Sequence, residues 1–168
     1  MSVEDKDKGY QALFARLDNF KAQKLGLTVG VHGPEASAVH EEPESPEPKK
    51  GAKPKAPITV GDIATVAEYG LGNNPKRSWL RDWVDQNQGE ISGILKQVAE
   101  GAIQGRYSPS TAFDRAGLLF VAKIQERIRG NIPPALKDAT VKRKGSSVAL
   151  INTGQFVSAI RHQVTGKK

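Results

Sequence analysis

A chain of 168 residues with a formal net charge of +7 and no cysteine has room for one domain with its own core, and it excludes disulfides, thiolate nucleophiles and cysteine-held zinc. Its histidines, His32, His40 and His162, show no local metal-ligand spacing, so no metal or other cofactor is expected. With a mean hydropathy of −0.47, no apolar run of the ~18 residues that cross a bilayer and a charged opening M-S-V-E-D-K-D-K unlike a signal peptide, the expectation is a cytoplasmic chain with no membrane partner.

Residues 4–22 read as an amphipathic helix. Tyr10, Leu13, Phe14, Leu17 and Phe20 recur at three- and four-residue spacing. Ser2 is placed to cap it, and Glu4 and Asp5 suit its positive end. In K-L-G-L-T-V-G-V-H, residues 24–32, Leu25, Leu27, Val29 and Val31 alternate with Gly26, Thr28, Gly30 and His32. That predicts a half-buried strand, with the two glycines marking a close backbone approach. Residues 33–57 break both periods. Pro34, Pro43, Pro46, Pro48, Pro54 and Pro57 exclude regular structure, and an acidic block (Glu41, Glu42, Glu44, Glu47) precedes a basic one (Lys49, Lys50, Lys53, Lys55). This is a long mobile loop, either one that orders against a neighbouring subunit or a tolerated excursion.

Thr59 with Asp62 forms a capping-box pattern for a helix over 59–69, with Ile63, Val66 and Ala67 inward and Gly70 at its end. The following G-L-G-N-N-P-K-R has neither P-loop nor G-x-G-x-x-G spacing, and it follows a helix rather than a strand, so it reads as a turn. A helix over 78–104 carries Leu80, Val84, Ile91, Leu95, Val98 and Ile103, with Trp79 and Trp83 on an adjoining face. Gly89, Gly93 and Gly101 either weaken it, with a bend near Gly89, or mark close packing. Ser108, Pro109 and Gly130 bound a third helix, 109–129, lined by Phe113, Ala116, Phe120, Ile124 and Ile128. The short R-Y-S-P link makes the two long helices antiparallel neighbours. A Pro-led turn, with room for one helical turn, and a basic Gly/Ser loop follow. Residues 158–165 alternate, Ile160 and Val164 against Arg161 and Gln163, and form a last strand able to pair with 24–32. The sum is a single α+β domain over 1–168, with a small, mainly antiparallel sheet.

Little here points to catalysis. No Ser/His/Asp grouping shows in the spacing, and Glu68 and Asp82 are a carboxylate pair only if the fold joins them, so the chain is not expected to be an enzyme. Charge points elsewhere. Lys137, Lys142, Arg143, Lys144, Arg161, Lys167 and Lys168 face one acid, Asp138, in the C-terminal segment. Such an end suits nucleic acid, an acidic partner or plain solvation. Lys142, Arg143 and Lys144, followed by Gly145, Ser146 and Ser147, have the charge and backbone donors to hold phosphates, without aromatics for stacking. A basic nucleic-acid-binding protein is therefore the alternative reading.

Two segments together resemble the neck and tail-completion (virion morphogenesis) proteins of Mu-like and lambdoid tailed bacteriophages. The first, A-T-V-A-E-Y-G followed by N-P-K-R-S-W-L-R-D-W-V-D-Q-N, is similar to that family's E-[FY]-G … P-x-R-x-[FW]-[LM]-R pattern through Glu68, Tyr69, Gly70, Pro75, Arg77, Trp79, Leu80 and Arg81. The second, I-P-P-A-L-K-D-A-T-V-K-R-K-G-S-S-V-A-L-I-N-T-G-Q-F-V-S-A-I, is similar to its C-terminal signature through Leu136, Thr140, Lys144, Gly145, Leu150, Thr153, Gly154, Gln155 and Ile160. Lys76 and Ser78 depart from the alanine and proline usual beside the arginine, and 33–57 lies outside the match. The resemblance implies a non-catalytic assembly protein of the virion head–tail junction, assembled in the bacterial cytoplasm. It implies a six- or twelve-fold ring that contacts portal or adaptor, other neck proteins, and tail tube or tail terminator, while viral double-stranded DNA passes its lumen without sequence reading. Under it, Glu68, Tyr69, Arg77, Trp79, Arg81, Thr153 and Gln155 are expected at subunit or partner interfaces, with core packing the alternative for Trp79 and Trp83. Lys142, Arg143 and Lys144 are expected at the DNA channel or an acidic partner.

Overall fold

The computed structural model describes residues 8–40 and 56–166. The Ser2 cap, the acidic and basic blocks of the 33–57 loop, and Lys167 and Lys168 lie outside the described residues. Within them the chain is the expected α+β arrangement: a two-stranded antiparallel sheet packed on a helical hairpin.

Helix α1 spans Lys8–Ala22 and strand β1 spans Gly26–Gly30. Strand β2, Arg161–Thr165, pairs with β1 so that Leu27 faces Val164 and Val29 faces His162. Those four side chains turn inward, and Thr28 and Gln163 turn out, as the alternation required. Of the two strand glycines, only Gly26 meets a neighbour, the Thr165 hydroxyl at 2.8 Å from an added Cβ, while the same position at Gly30 is open. The expected close backbone approach is thus one side-chain contact.

Pro34 does not exclude regular structure. It opens a single helical turn, α2 (Pro34–Ser37), where its missing N–H is no loss. Val39 then bridges to Thr59. Helix α3, Val60–Tyr69, begins on the complete Thr59–Asp62 capping box and ends at Gly70 in the left-handed region.

The helix expected over 78–104 is two helices, α4 (Arg81–Gln86) and α5 (Gln88–Ile103). The break falls at Asn87, whose amide donates to the Trp83 carbonyl at 2.8 Å and closes α4. Helix α6, Pro109–Arg129, starts on the Ser108 cap and runs back antiparallel along α5. The basic segment expected as a loop is largely helix α7, Asp138–Lys144, ended by Gly145 at positive φ. Residues 155–158, partly assigned above to the last strand, form the turn α8, Gln155–Ser158, because Gly154 at φ 85° redirects the chain into helical bonds. The core joins Val60 and Ala64 of α3, Trp79, Trp83, Val98, the α6 stripe Ala112–Ala116–Phe120–Ile124–Ile128, and Phe156, Val157 and Ile160.

Candidate interaction surface

The E-Y-G segment and the R-S-W-L-R segment meet at Glu68. Its buried carboxylate accepts from the Ser78 hydroxyl at 2.6 Å and from the backbone N–H groups of Leu80 at 3.0 Å and Arg81 at 3.1 Å. The first amides of α4 have no partner in their own helix, so a glutamate from α3 serves as a remote cap. Ser78 completes it by accepting from the Asp82 N–H at 3.1 Å. The Arg81 guanidinium lies 3.6 Å from the same carboxylate and stacks over Tyr69, 4.9 Å from the ring centroid.

The Arg77 and Trp79 side chains are buried within the fold rather than displayed on its surface. The Arg77 side chain is turned into the fold, where Nε and Nη2 donate to the Pro134 carbonyl at 3.0 and 2.7 Å, and the residue is 8% exposed. Burial lowers its pKa. Trp79 is 4% exposed; its Nε1 donates to the Ala64 carbonyl at 3.0 Å, and its ring meets Phe156 edge-on at 5.3 Å. Both side chains are consumed in holding α3, the turn after it and the C-terminal segment together. Trp83 is likewise core, packed on Phe120.

Lys144 also departs from expectation. Its ammonium donates to the carbonyls of Val148 and Ala149 at 2.9 and 2.6 Å and is only partly accessible. Burial, followed by the nearby Arg77 charge, lowers its pKa to about 8. It latches the turn after α7 rather than reaching for phosphate. Lys142 is exposed on α7, and Arg143 lies in the same helix.

The residues left displayed are Tyr69, Leu71 and Arg81 around the end of α3. Thr153 is exposed nearby in sequence to Gln155, whose Nε2 donates to the Val39 carbonyl at 2.9 Å and whose N–H donates to the Thr153 hydroxyl at 3.3 Å. Glu68, Arg77 and Trp79 thus brace the segment that carries the exposed Tyr69, Leu71 and Arg81, which gives an aromatic and guanidinium display of the kind that anchors protein contacts, while Gln155 ties its own turn to Val39. Sequence reading missed Ser78 and Pro134 in this brace. Neither left a sequence signal: Ser78 stands two residues before the α4 N-cap, Leu80, and so outside the capping pattern, and a backbone carbonyl is the same at every residue. Among the described residues, no group of three or more His, Cys, Asp or Glu side chains could hold a metal ion, and no helix is long and apolar enough to cross a membrane.

No family model, curated protein or solved structure matches this chain.

Proposed function

We propose that this chain is a non-catalytic structural protein of a phage head–tail junction, a neck or tail-completion subunit resident in the virion. It acts as a ring of copies that joins portal or adaptor to the tail and leaves a lumen for DNA. One observation carries the reading beyond the motifs themselves. The two segments that bear the resemblance, distant in sequence, are packed into one unit: Trp79 on Phe156, and Arg77 on the Pro134 carbonyl. A signature split across a chain has a physical rationale when its halves build one surface.

The mechanism is docking. The brace holds the turn after α3 in one conformation, so Tyr69, Leu71 and Arg81 meet a partner without first being ordered, which reduces the entropic cost of association. The test is to interrupt the coding sequence in the phage or prophage that carries it and image induced lysates by negative stain. Separate DNA-filled heads and finished tails are the expected outcome. Overlong or absent tails assign the protein instead to tail termination or tube assembly, and normal infectious particles overturn the reading. The alternative, a nucleic-acid-binding protein, draws on the excess of charge near α7. It requires tight, steeply salt-dependent DNA binding by the isolated monomer in a gel-shift assay.

A further inference from the structure

Arg77 and Lys144 are held together by hydrogen bonds that leave their charge uncancelled. The Arg77 guanidinium bonds the Pro134 carbonyl through Nε and Nη2, and the Lys144 ammonium bonds the Val148 and Ala149 carbonyls. The two cations are near enough for the Arg77 charge to disfavour the Lys144 proton. A third, Arg127, donates from Nη2 to the carbonyl of Ser78, the residue after Arg77, and its Nε is buried without a partner. Among the described residues, Lys76, Arg81, Lys96, Lys123 and Arg161 each reach a carboxylate, and Arg77, Arg127 and Lys144 do not.

A carbonyl satisfies an N–H group but carries no net charge. Buried charges are as a rule paired with an opposite charge, and a second cation nearby raises the cost of leaving one unpaired. The carboxylates closest in sequence are engaged elsewhere. Glu68 accepts from Ser78, Leu80 and Arg81, and Asp82 lies 3.6 Å from Lys76. Asp138 stands in the first turn of α7, six positions before Lys144, which places it about 240° round the helix. The surrounding surface adds further positive charge through the exposed Arg129, Lys137 and Lys142.

We infer that the Arg77–Lys144 pair is a receptor for a carboxylate side chain on an acidic segment of a partner protein. Both groups have donors left for it. Arg77 Nη1 takes no partner among the described residues and is not sealed from solvent, and an ammonium with two bonds made keeps a third N–H. A carboxylate matches the edge of a guanidinium and supplies the missing charge. Phosphates of a duplex fit this place less well. They lie on a wide, stiff cylinder and are met by side chains that project from a protein surface, whereas Arg77 is 8% exposed. An acidic side chain on a flexible segment can enter the recess. The cations were desolvated when the chain folded, so the incoming carboxylate meets an attraction that water screens little. This contact goes beyond the Tyr69–Leu71–Arg81 display in naming a second surface and its partner's chemistry, and it does not depend on a place in a virion.

The test is to titrate the full-length protein into fluorescein-labelled hexaglutamate and follow anisotropy. Lys144→Met is expected to weaken binding on the order of tenfold, and Lys142→Met, an exposed lysine of the same helix, by less than about twofold. Because Lys144 also latches a turn, the place of binding is read on the wild-type chain as well. Saturating hexaglutamate is expected to suppress acetylation of Lys144 by trace acetic anhydride, followed by mass spectrometry, and to leave Lys142 within about twofold of its free rate. A latch without a ligand would give the same Lys144 rate with and without peptide, and that result overturns the site. So do equal losses of affinity in the two variants, which mean a diffuse basic surface, and so does an absence of binding. Binding that appears only after Glu41, Glu42, Glu44 and Glu47 are changed to Gln assigns the carboxylate to this chain and overturns the partner. Duplex DNA that displaces hexaglutamate and protects Lys144 equally well overturns the choice of carboxylate over phosphate. None of these outcomes bears on the neck assignment, which the lysate images decide separately.

Discussion

Glu68 and Tyr69 are adjacent in the chain and do different work. The Glu68 carboxylate satisfies two backbone N–H groups and a hydroxyl in a buried setting, whereas Tyr69 stands in solvent under Arg81. Glu68→Ala leaves those donors without an acceptor and is expected to lower unfolding free energy by about 3 kcal/mol. Tyr69→Ser is expected to stay within about 0.5 kcal/mol of wild type. Urea denaturation checks both, and equal small effects would show that the carboxylate is not the brace. Lys144 gives a second prediction at this scale. Its folded pKa, about 8, lies below the ordinary 10.5, so between those pH values the unfolded chain binds more protons than the folded one. Stability attributable to this group therefore rises with pH across that window and is lowest below pH 8. Against a Lys144→Met variant, the wild-type urea midpoint is expected to climb from pH 8 toward 10.5; a parallel pH dependence in both proteins would remove the latch from the account.

Among the helices, the glycines separate into those that fill a need and those that do not. Gly93 lies exposed within α5, and an added Cβ meets nothing within 4 Å. Gly93→Ala is expected to stabilise the protein by about 0.5–1 kcal/mol through helix propensity alone. Gly117 is the opposite case. A Cβ there would lie 2.4 Å from the His162 ring and 2.8 Å from the His162 Cβ, so β2 itself must move off α6. Gly117→Ala is expected to cost about 1–3 kcal/mol and to disturb the 2.7 Å contact between His162 Nε2 and Asp114. Thermal unfolding of the two variants, expected to shift Tm in opposite directions, checks the contrast. These elements also show what local sequence conveys. The Thr59–Asp62 box, the Ser108–Pro109 start and the β1 alternation are signals carried within a few residues, and each element formed where they placed it. A bend near Gly89 is one of two readings of the 78–104 segment, and the interruption falls at Asn87, whose amide bonds back to the Trp83 carbonyl; the last strand starts at Arg161 rather than 158 because the turn at Gly154 first carries the chain into helical bonds, which are visible only once the chain has folded.

At the level of the whole molecule the site was half legible. Glu68, Tyr69 and Arg81 were singled out and do lie together, but which side chains remain available depends on what covers them. Trp79 is covered by Phe156 and Arg77 by the Pro134 carbonyl, contacts across a sequence distance that periodicity does not encode. The same limit applies to charge. The run Lys142–Lys144 looked like one basic patch, yet the Lys144 ammonium is committed to two backbone carbonyls. Salt distinguishes the forces left to the assembled molecule. Apolar contacts between copies are not weakened by screening, whereas at about 1 M salt the Debye length falls to about 3 Å and attraction to phosphate is largely lost. Self-association measured by sedimentation is therefore expected to persist from low salt to about 1 M NaCl, while any binding of duplex DNA, followed by fluorescence anisotropy in the same buffers, is expected to fall by orders of magnitude. Assembly that dissolves as salt rises would mean that charged residues join the copies. DNA binding that resists salt would mean that bases or stacked rings are being read, which a lumen open to any sequence does not require.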